Sequence, residues 1–478
     1  MPAFPTHAIA RLRRACAPGE RAMDLDAIVI GSGQAGVPLA TRLAKHGRKV
    51  LLAERADLGG TCINTGCTPT KTLVASARAA HVARSARRLG VRVDSVAVDF
   101  PAVIARKDAI VRRWQEGIAR RLADAGENLR LVRGEARLVG ERTVEIAGER
   151  HRAATVILNV GGRPIEPPIP GLGGVPWLDN RRVMELPELP SHLVVVGGGY
   201  IGCELAQAYR RFGADVTVIE PGKHLLGNGD PEVSEAIEGV FRDEGVALLL
   251  DARAEAVSRD GGRLTVRLST GRTVTGSHLL VATGRRPNTD DLGAEAAGVK
   301  LDGRGFVEVD DHYRSSAPGI YAVGDCAGGP QFTHAAWDDH RLLFDVLMGK
   351  PGRGRKDRLV PYTAYTDPQV AGVGLTERAA RDQGVEYEVA TLPFENIARA
   401  IETDEKAGLL KILVDPATER ILGASIVGAE AGELIHVFAA LMQAGATARA
   451  VVDMEAVHPS LAEGLQSVVM ALPRYALS

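Results

Sequence analysis

Cys62 and Cys67, with four residues between them in GGTCINTGCTPTK (Gly59 to Lys71), are the side chains best suited to chemistry in this 478-residue chain. Thiols this close invite a reversible disulfide. Bridging requires Cα atoms within about 7 Å, whereas positions i and i+5 of a regular α-helix lie roughly 8 to 9 Å apart. A helix carrying both must be distorted between them, and Asn64-Thr65-Gly66 offers residues that tolerate unusual backbone angles. A disulfide held under such constraint is easily reduced, which serves redox chemistry better than stability. A structural zinc site fits poorly, because it needs four Cys or His ligands at short spacings and Cys16, Cys203 and Cys326 are scattered singly. Those three read as small buried or tail residues. No structural metal is expected, although reduced Cys62 and Cys67 would accept a soft metal ion transiently.

The elements that must position these thiols begin upstream. Leu25-Asp-Ala-Ile-Val-Ile30 is a short apolar run leading into Gly31-x-Gly33-x-x-Gly36, a helical stretch to Gly47, then Lys49-Val-Leu-Leu-Ala53 and Glu54. This predicts a strand, turn, helix, strand unit that binds a dinucleotide. The first glycine makes the turn, the second admits a pyrophosphate, the third packs helix on strand, and the helix N-terminus attracts the phosphates. Glu54 would accept a ribose hydroxyl. Adding 166 to each number recovers the pattern as Gly197, Gly199, Gly202, Gly213 and Glu220. One such motif is weak evidence, but two with their acids at the same spacing are strong. The thiols follow the first copy, which places FAD there and the mobile nicotinamide, NAD(P)H, at the second. Glu220 suits a free 2′-hydroxyl and so favours NADH, a preference that nearby Lys223 and His224 soften.

The length predicts about three domains. Hydrophobic residues at 45% and charged residues at 24% are ordinary globular values, and a net charge of -1 argues against a nucleic-acid binder. Arg112-Arg113 and Arg120-Arg121 then read as solvated helix faces. No run approaches a membrane span, and residues 1–23 lack the apolar centre of a signal peptide, so a cytoplasmic location without membrane partners is expected. Residues 1–23 read as a disordered leader, with Met23 expected as the natural start.

Beyond residue 24 the chain resembles the class I pyridine nucleotide-disulfide oxidoreductases: dihydrolipoyl dehydrogenase, glutathione reductase, mercuric reductase and their relatives. The resemblance rests on the cysteine segment, on GGGYIGCE, on Ala282-Thr-Gly284-Arg-Arg-Pro-Asn288 and on Tyr321-Ala-Val-Gly324-Asp325. It extends through Tyr365-Thr-Asp-Pro-Gln-Val-Ala-Gly-Val-Gly-Leu-Thr-Glu377 and His458-Pro-Ser-Leu-Ala-Glu463. It implies an α/β fold with two Rossmann-like domains and a C-terminal α+β dimerisation domain. Residues 24–165 and 289–358 would form the FAD-binding domain, 166–288 the NAD(P)-binding domain and 359–478 the dimerisation domain.

The resemblance also implies roles. Gly31, Gly33, Gly36, Glu54, Gly60, Thr61, Lys71, Gly324 and Asp325 would hold FAD, with Asp325 on its ribityl chain. Gly197, Gly199, Gly202, Glu220 and Gly284 would hold the nicotinamide dinucleotide. Cys67 becomes the charge-transfer thiol against the flavin and Cys62 the interchange thiol. Lys71 pairs with Glu204 beside the flavin, as a buried lysine needs a carboxylate partner. His458 is the acid and base, presented from a loop by Pro459 and reaching the site from a homodimer partner. Glu463 orients it, although Ser460-Leu-Ala-Glu463 also reads as a capping box.

The acceptor is less constrained. A C-terminal Pro473-Arg-Tyr-Ala-Leu-Ser478 in place of a cysteine pair argues against mercury detoxification, and Ala456 stands where dihydrolipoyl dehydrogenase has a second histidine. Gln331-Phe-Thr-His-Ala-Ala-Trp337-Asp-Asp-His340-Arg341 is similar to the reactive-chlorine-resistance subgroup, whose members reduce copper(II). A metal ion or small oxidant is therefore the expected acceptor. Dihydrolipoyl dehydrogenase is the alternative, and a flavin-bearing redox sensor or metal-binding protein is a third reading.

Overall fold

The computed structural model describes residues 25–350 and 352–476, so the predicted leader and Cys16 lie outside the described residues. The chain forms two compact units. The first takes the described residues up to Cys67 together with Val111–Arg163 and Arg286–Arg358, and the second takes Thr68–Ile110, Pro164–Arg285 and the described residues from Leu359 onward.

In the first unit β1 (Leu25–Ile30), α1 (Gly36–Lys45) and β2 (Val50–Glu54) form the expected nucleotide-binding unit. They are followed by α2 (Gly60–Asn64); α3 (Cys67–Ser85) belongs to the second unit beyond Cys67, and α4 (Phe100–Ala123) rejoins the first at Val111 and leads to β3 (Leu129–Arg133). A meander of β4 (Ala136–Gly140), β5 (Thr143–Ile146) and β6 (Glu149–Leu158) completes a sheet of order β3-β2-β1-β6-β5-β4, and the strand Ile320–Ala322 also pairs with β6. Successive β1 residues face opposite ways: Ala27 and Val29 join one apolar cluster, Ile28 and Ile30 another. Such a strand is buried on both faces, as a parallel sheet requires. Arg112, Arg113, Arg120 and Arg121 are exposed on α4, the solvated face expected of them.

The second unit repeats the plan. β7 (His192–Val196), α5 (Tyr200–Phe212), β8 (Asp215–Ile219), β9 (Ala247–Leu249) and β10 (His278–Val281) give a parallel sheet of order β9-β8-β7-β10. The register repeats with the 166-residue offset, since Ala27 pairs with Val50 and Leu193 with Val216. The same unit carries a five-stranded antiparallel sheet: β11 (Tyr362–Ala364), β12 (Gln369–Gly374), β13 (Glu388–Pro393), β14 (Leu409–Val414) and β15 (Ile421–Gly428), in the order β11-β12-β15-β14-β13. α6 (Ala431–Gln443) and α7 (Glu463–Met470) bury Ile435, Phe438, Leu465 and Val468 in the cluster lined by Ile412 and Ile426. The architecture is thus mixed α/β, with two dinucleotide-binding folds and an α+β C-terminal portion.

Candidate active site

The helix that would carry both thiols is interrupted where the spacing demanded it. α2 ends at Asn64, Thr65 leaves helical geometry at φ −140°, and α3 restarts at Cys67. A side chain on Gly66 would stand 2.9 Å from the Thr61 carbonyl oxygen and 3.3 Å from the Cα of Cys62, so only glycine lets the chain fold back on Cys62 here. Asn64 fixes the break. Its Nδ2 donates to the carbonyls of Leu58 and Gly60 at 3.1 and 3.0 Å, and its Oδ1 accepts from Gln115 Nε2 at 2.8 Å. Cys62 is half-buried and Cys67 exposed. Cys67 occupies the first position of a 19-residue helix, where the helix dipole favours a thiolate. Its Sγ lies 3.2 Å from Thr333 Oγ1, a partner that sequence spacing did not reveal.

The first nucleotide loop is tightly built. Gly31 has φ +103°, and a Cβ there would strike the Asn159 carbonyl oxygen at 2.2 Å; one on Gly36 would strike the Gly31 carbonyl at 2.0 Å. Gly60 approaches Gly33 so closely that a Cβ would lie 2.9 Å from its Cα. Glu54 accepts from Ser32 N at 2.9 Å, from Ser32 Oγ at 2.6 Å and from Ala56 N at 2.8 Å, tying the strand end to the loop. Gly324 and Asp325 open a short 3₁₀ turn after the strand Ile320–Ala322. α1 has neither a side-chain cap nor an acidic residue in its first turn, leaving its amide end suited to a phosphate.

The second loop is built alike. A Cβ on Gly197 would meet the Ala282 carbonyl oxygen at 2.5 Å, and one on Gly202 the Gly197 carbonyl at 2.0 Å, whereas Gly199 faces open space. Glu220 accepts from Gly198 N at 2.6 Å and Gly222 N at 2.8 Å, the counterpart of Glu54. α5 likewise begins without a side-chain cap or acid. Gly284 has φ +128°, and its carbonyl accepts from Ile165 N. His224 turns to buried Glu238, 3.2 Å away, so one of the two basic residues near Glu220 in sequence already has an acidic partner.

Two further pairs lie within the second unit. Lys71, one turn beyond Cys67 along α3, places Nζ 2.8 and 2.6 Å from the Glu204 oxygens. The Glu204 carboxylate is buried and also accepts the Tyr365 backbone N–H at 2.8 Å, and the Tyr365 ring lies 4.8 Å from the Lys71 ammonium. His458 Nδ1 lies 2.9 Å from Glu463 Oε1, on a ring that is 70% exposed. The capping expectation is half met: Glu463 Oε2 accepts from Ser460 N at 2.8 Å, but the helix starts at Glu463 after Ala462, and Ser460 Oγ makes no reciprocal bond. The Ser460 amide first, and then the imidazole, hold the Glu463 carboxyl below the ordinary carboxylate range.

Near Lys411 the carboxylates of Asp230, Glu232 and Glu377 converge within metal-ligand reach, but the ammonium of buried Lys411 already sits among them, 3.0 Å from Asp230 and 2.6 Å from Glu377. This is an internal ion cluster of structural character.

Two nucleotide loops and a cysteine pair set astride a helix break define a flavin-linked, nicotinamide-dependent disulfide reductase. Residues 25–339 match the pyridine nucleotide-disulphide oxidoreductase family model and residues 360–469 match that family's dimerisation domain. The chain belongs to this family, whose members use FAD and NAD(P)H and transfer electrons through the flavin to a disulfide. It is 36% identical to the probable pyridine nucleotide-disulfide oxidoreductase RclA of Escherichia coli, over 92% of this chain and 98% of that protein. It is 32% identical to a mercuric reductase of Staphylococcus aureus, over 94% of this chain and 83% of that one. Against a dihydrolipoyl dehydrogenase of Thermus scotoductus the identity is 36%, over 95% and 98%. Among solved structures, the copper(II) complex of the HOCl-induced flavoprotein disulfide reductase RclA from Escherichia coli aligns with a TM-score of 0.86 at 34% identity, over 94% of this chain and 99% of that chain. No described helix is long and apolar enough to cross a membrane.

Proposed function

We propose that the chain acts as a cytoplasmic homodimer that uses NADH in preference to NADPH to reduce a metal ion, copper(II) foremost, or another small oxidant through the Cys62–Cys67 couple. The observation that carries this reading is the interrupted helix, whose break between the two thiols brings Gly66 against the Cα of Cys62. FAD, when bound, supplies the passage of electrons from nicotinamide to sulfur. Gly31, Gly33, Gly36, Glu54, Gly60, Thr61, Lys71, Gly324 and Asp325 would hold it, within a domain formed by 24–165 and 289–358. Gly197, Gly199, Gly202, Glu220 and Gly284 would hold the nicotinamide dinucleotide within 166–288, and 359–478 would form the dimer. The Glu220 carboxylate at its strand end repels a 2′-phosphate.

The helix start and the Thr333 hydroxyl stabilise negative charge on Cys67, the sulfur assigned to face the flavin. Cys62 is the sulfur that meets the acceptor. Two electrons and two protons convert the disulfide to two thiols. Its return to disulfide releases two electrons, enough for two copper(II) ions or one two-electron oxidant. Soft thiolates suit copper as a landing site, and the relative of known structure was solved as a copper(II) complex. Lys71 holds positive charge near the flavin, with Glu204 keeping it tolerable in a half-buried place.

The intact His458–Glu463 pair favours a second reading, dihydrolipoyl dehydrogenase, because an oriented imidazole is what dithiol exchange needs. One acceptor panel separates the two. Purified protein is given NADH or NADPH with copper(II), mercury(II), glutathione disulfide or quinone, and dihydrolipoamide with NAD in parallel. Fastest turnover with copper(II) and NADH is expected, and dominant dihydrolipoamide oxidation would replace the first reading with the second. Reduction that stops after one equivalent with every acceptor would indicate a sensor.

A further inference from the structure

The two nucleotide-binding copies differ at one buried position. Leu158 pairs with Ile30 at the end of β6, and Val281 pairs with Val196 at the end of β10. The next residue on each strand donates its backbone N–H to the same place, Asn159 N to the Ile30 carbonyl at 2.9 Å and Ala282 N to the Val196 carbonyl at 2.8 Å. Asn159 and Ala282 are therefore equivalent, and each carbonyl crowds the first glycine of its loop. Only the first copy has a functional side chain there.

That side chain is 7% exposed and touches both flavin motifs. Asn159 Nδ2 donates to the Gly31 carbonyl at 3.1 Å and would lie 3.2 Å from a Cβ on Gly33. On its other side, a Cβ on Gly324 would stand 3.1 Å from Asn159 Oδ1. The approach follows from strand register: Ala322 pairs with Leu158, and Val323 N bonds the Leu158 carbonyl at 2.9 Å, which delivers Gly324 to the amide. The Gly324 N–H is itself taken by Asp339 Oδ2 at 2.6 Å. Asp339 is buried, and its Oδ1 accepts from Tyr313 OH at 2.7 Å and from Arg358 Nη1 at 2.6 Å. The arginine, itself buried, neutralises a carboxylate that could not otherwise sit there.

We propose that Asn159 and Asp339 are positioning residues of the flavin site, clamping the Gly324–Asp325 turn against the Gly31–Gly36 loop so that Asp325 is held ready for the ribityl chain. The proposal rests on the reading that the first unit holds FAD. Neither residue need touch the flavin; each acts through the turn.

The test uses the flavin-loaded protein. Asn159→Ala installs the residue that the second copy carries at the same backbone geometry, and Asp339→Asn keeps the shape while removing the charge. Release of FAD after dilution is followed by flavin fluorescence, with visible circular dichroism reporting the environment of the bound isoalloxazine and far-ultraviolet melting reporting the fold. Each variant is expected to release FAD about five- to tenfold faster, as the loss of one hydrogen bond to a positioned group implies. Its visible dichroism should be altered while the melting temperature of the Asn159→Ala protein stays near that of the wild type. If Asp339→Asn does not fold, Asn159→Ala decides alone. Wild-type release rates with unchanged dichroism would overturn the clamp and leave the functional reading standing, whereas wild-type protein that binds no FAD would sink both.

Discussion

Glu204→Gln should destabilise the second unit by an amount that the geometry sets. The carboxylate is 2% exposed and accepts three bonds, two from Lys71 and one from the Tyr365 amide. Glutamine can keep the Oε1 contacts but turns an N–H₂ toward the ammonium and removes the balancing charge. Stranding one partner of a fully buried pair costs about 3 to 5 kcal/mol. The Lys71 side chain retains 30% exposure, so water partly compensates it and the expectation falls to about 2 to 3 kcal/mol. The measurement is urea unfolding of the flavin-loaded protein, followed by far-ultraviolet circular dichroism. Lys71→Met combined with Glu204→Leu should recover at least half of the loss, because no charge is then stranded. A single variant that costs less than about 0.5 kcal/mol, the range of a neutral surface change, would refute the argument. So would a double variant no more stable than the single.

Gly36→Ala forces a Cβ to within 2.0 Å of the Gly31 carbonyl, so the purified protein should carry little flavin, read as the loss of absorbance near the flavin bands. Cys62→Ser should end acceptor reduction while stopped-flow still shows flavin reduction by NADH; loss of both would contradict the assignment of Cys62 as the interchange sulfur. His458→Ala should remove dithiol exchange selectively, and unchanged dihydrolipoamide turnover would exclude a base role. In acid, the Lys411 cluster sets a direction. Burial opposes the Glu377 charge, but bonds from Lys411, Arg381 and Tyr387 prevail and hold its carboxyl at about 2. A carboxylate depressed in the folded state stabilises above its unfolded value and loses that contribution as pH falls toward 2. Stability should therefore decline between about pH 4.5 and pH 2, and Glu377→Gln should flatten that decline in an acid titration followed by circular dichroism.

Much of the site was legible in sequence because its signals are local. Glycine spacing specifies a turn within one strand and helix, and the Cys62–Cys67 interval demands a break that backbone geometry alone decides. The register offset of 166 residues reappeared in the strand pairing without change. Illegible were the contacts closed by tertiary structure. Thr333 meets Cys67 across 266 positions, Asp339 bonds Gly324 from a different element, and Asn159 stands at a strand end where no motif marks it. Lys411 reads as an ordinary strand lysine until three carboxylates from distant segments surround it. Ser460-x-x-Glu463 spells a capping box as well as an orienting carboxylate, and only half of the box forms, because the helix begins at Glu463 while that carboxylate meets both the Ser460 amide and His458.

The amide of Tyr365 has an implication for anyone recombining these proteins. It belongs to the C-terminal portion of the chain, yet it donates to the carboxylate that pairs with Lys71. A chimera joined near residue 360, at what looks like a natural seam, would inherit that donor from a foreign parent. If the grafted backbone entered even slightly displaced, the electrostatic setting of the lysine would change although every residue of the parental nucleotide folds had been preserved.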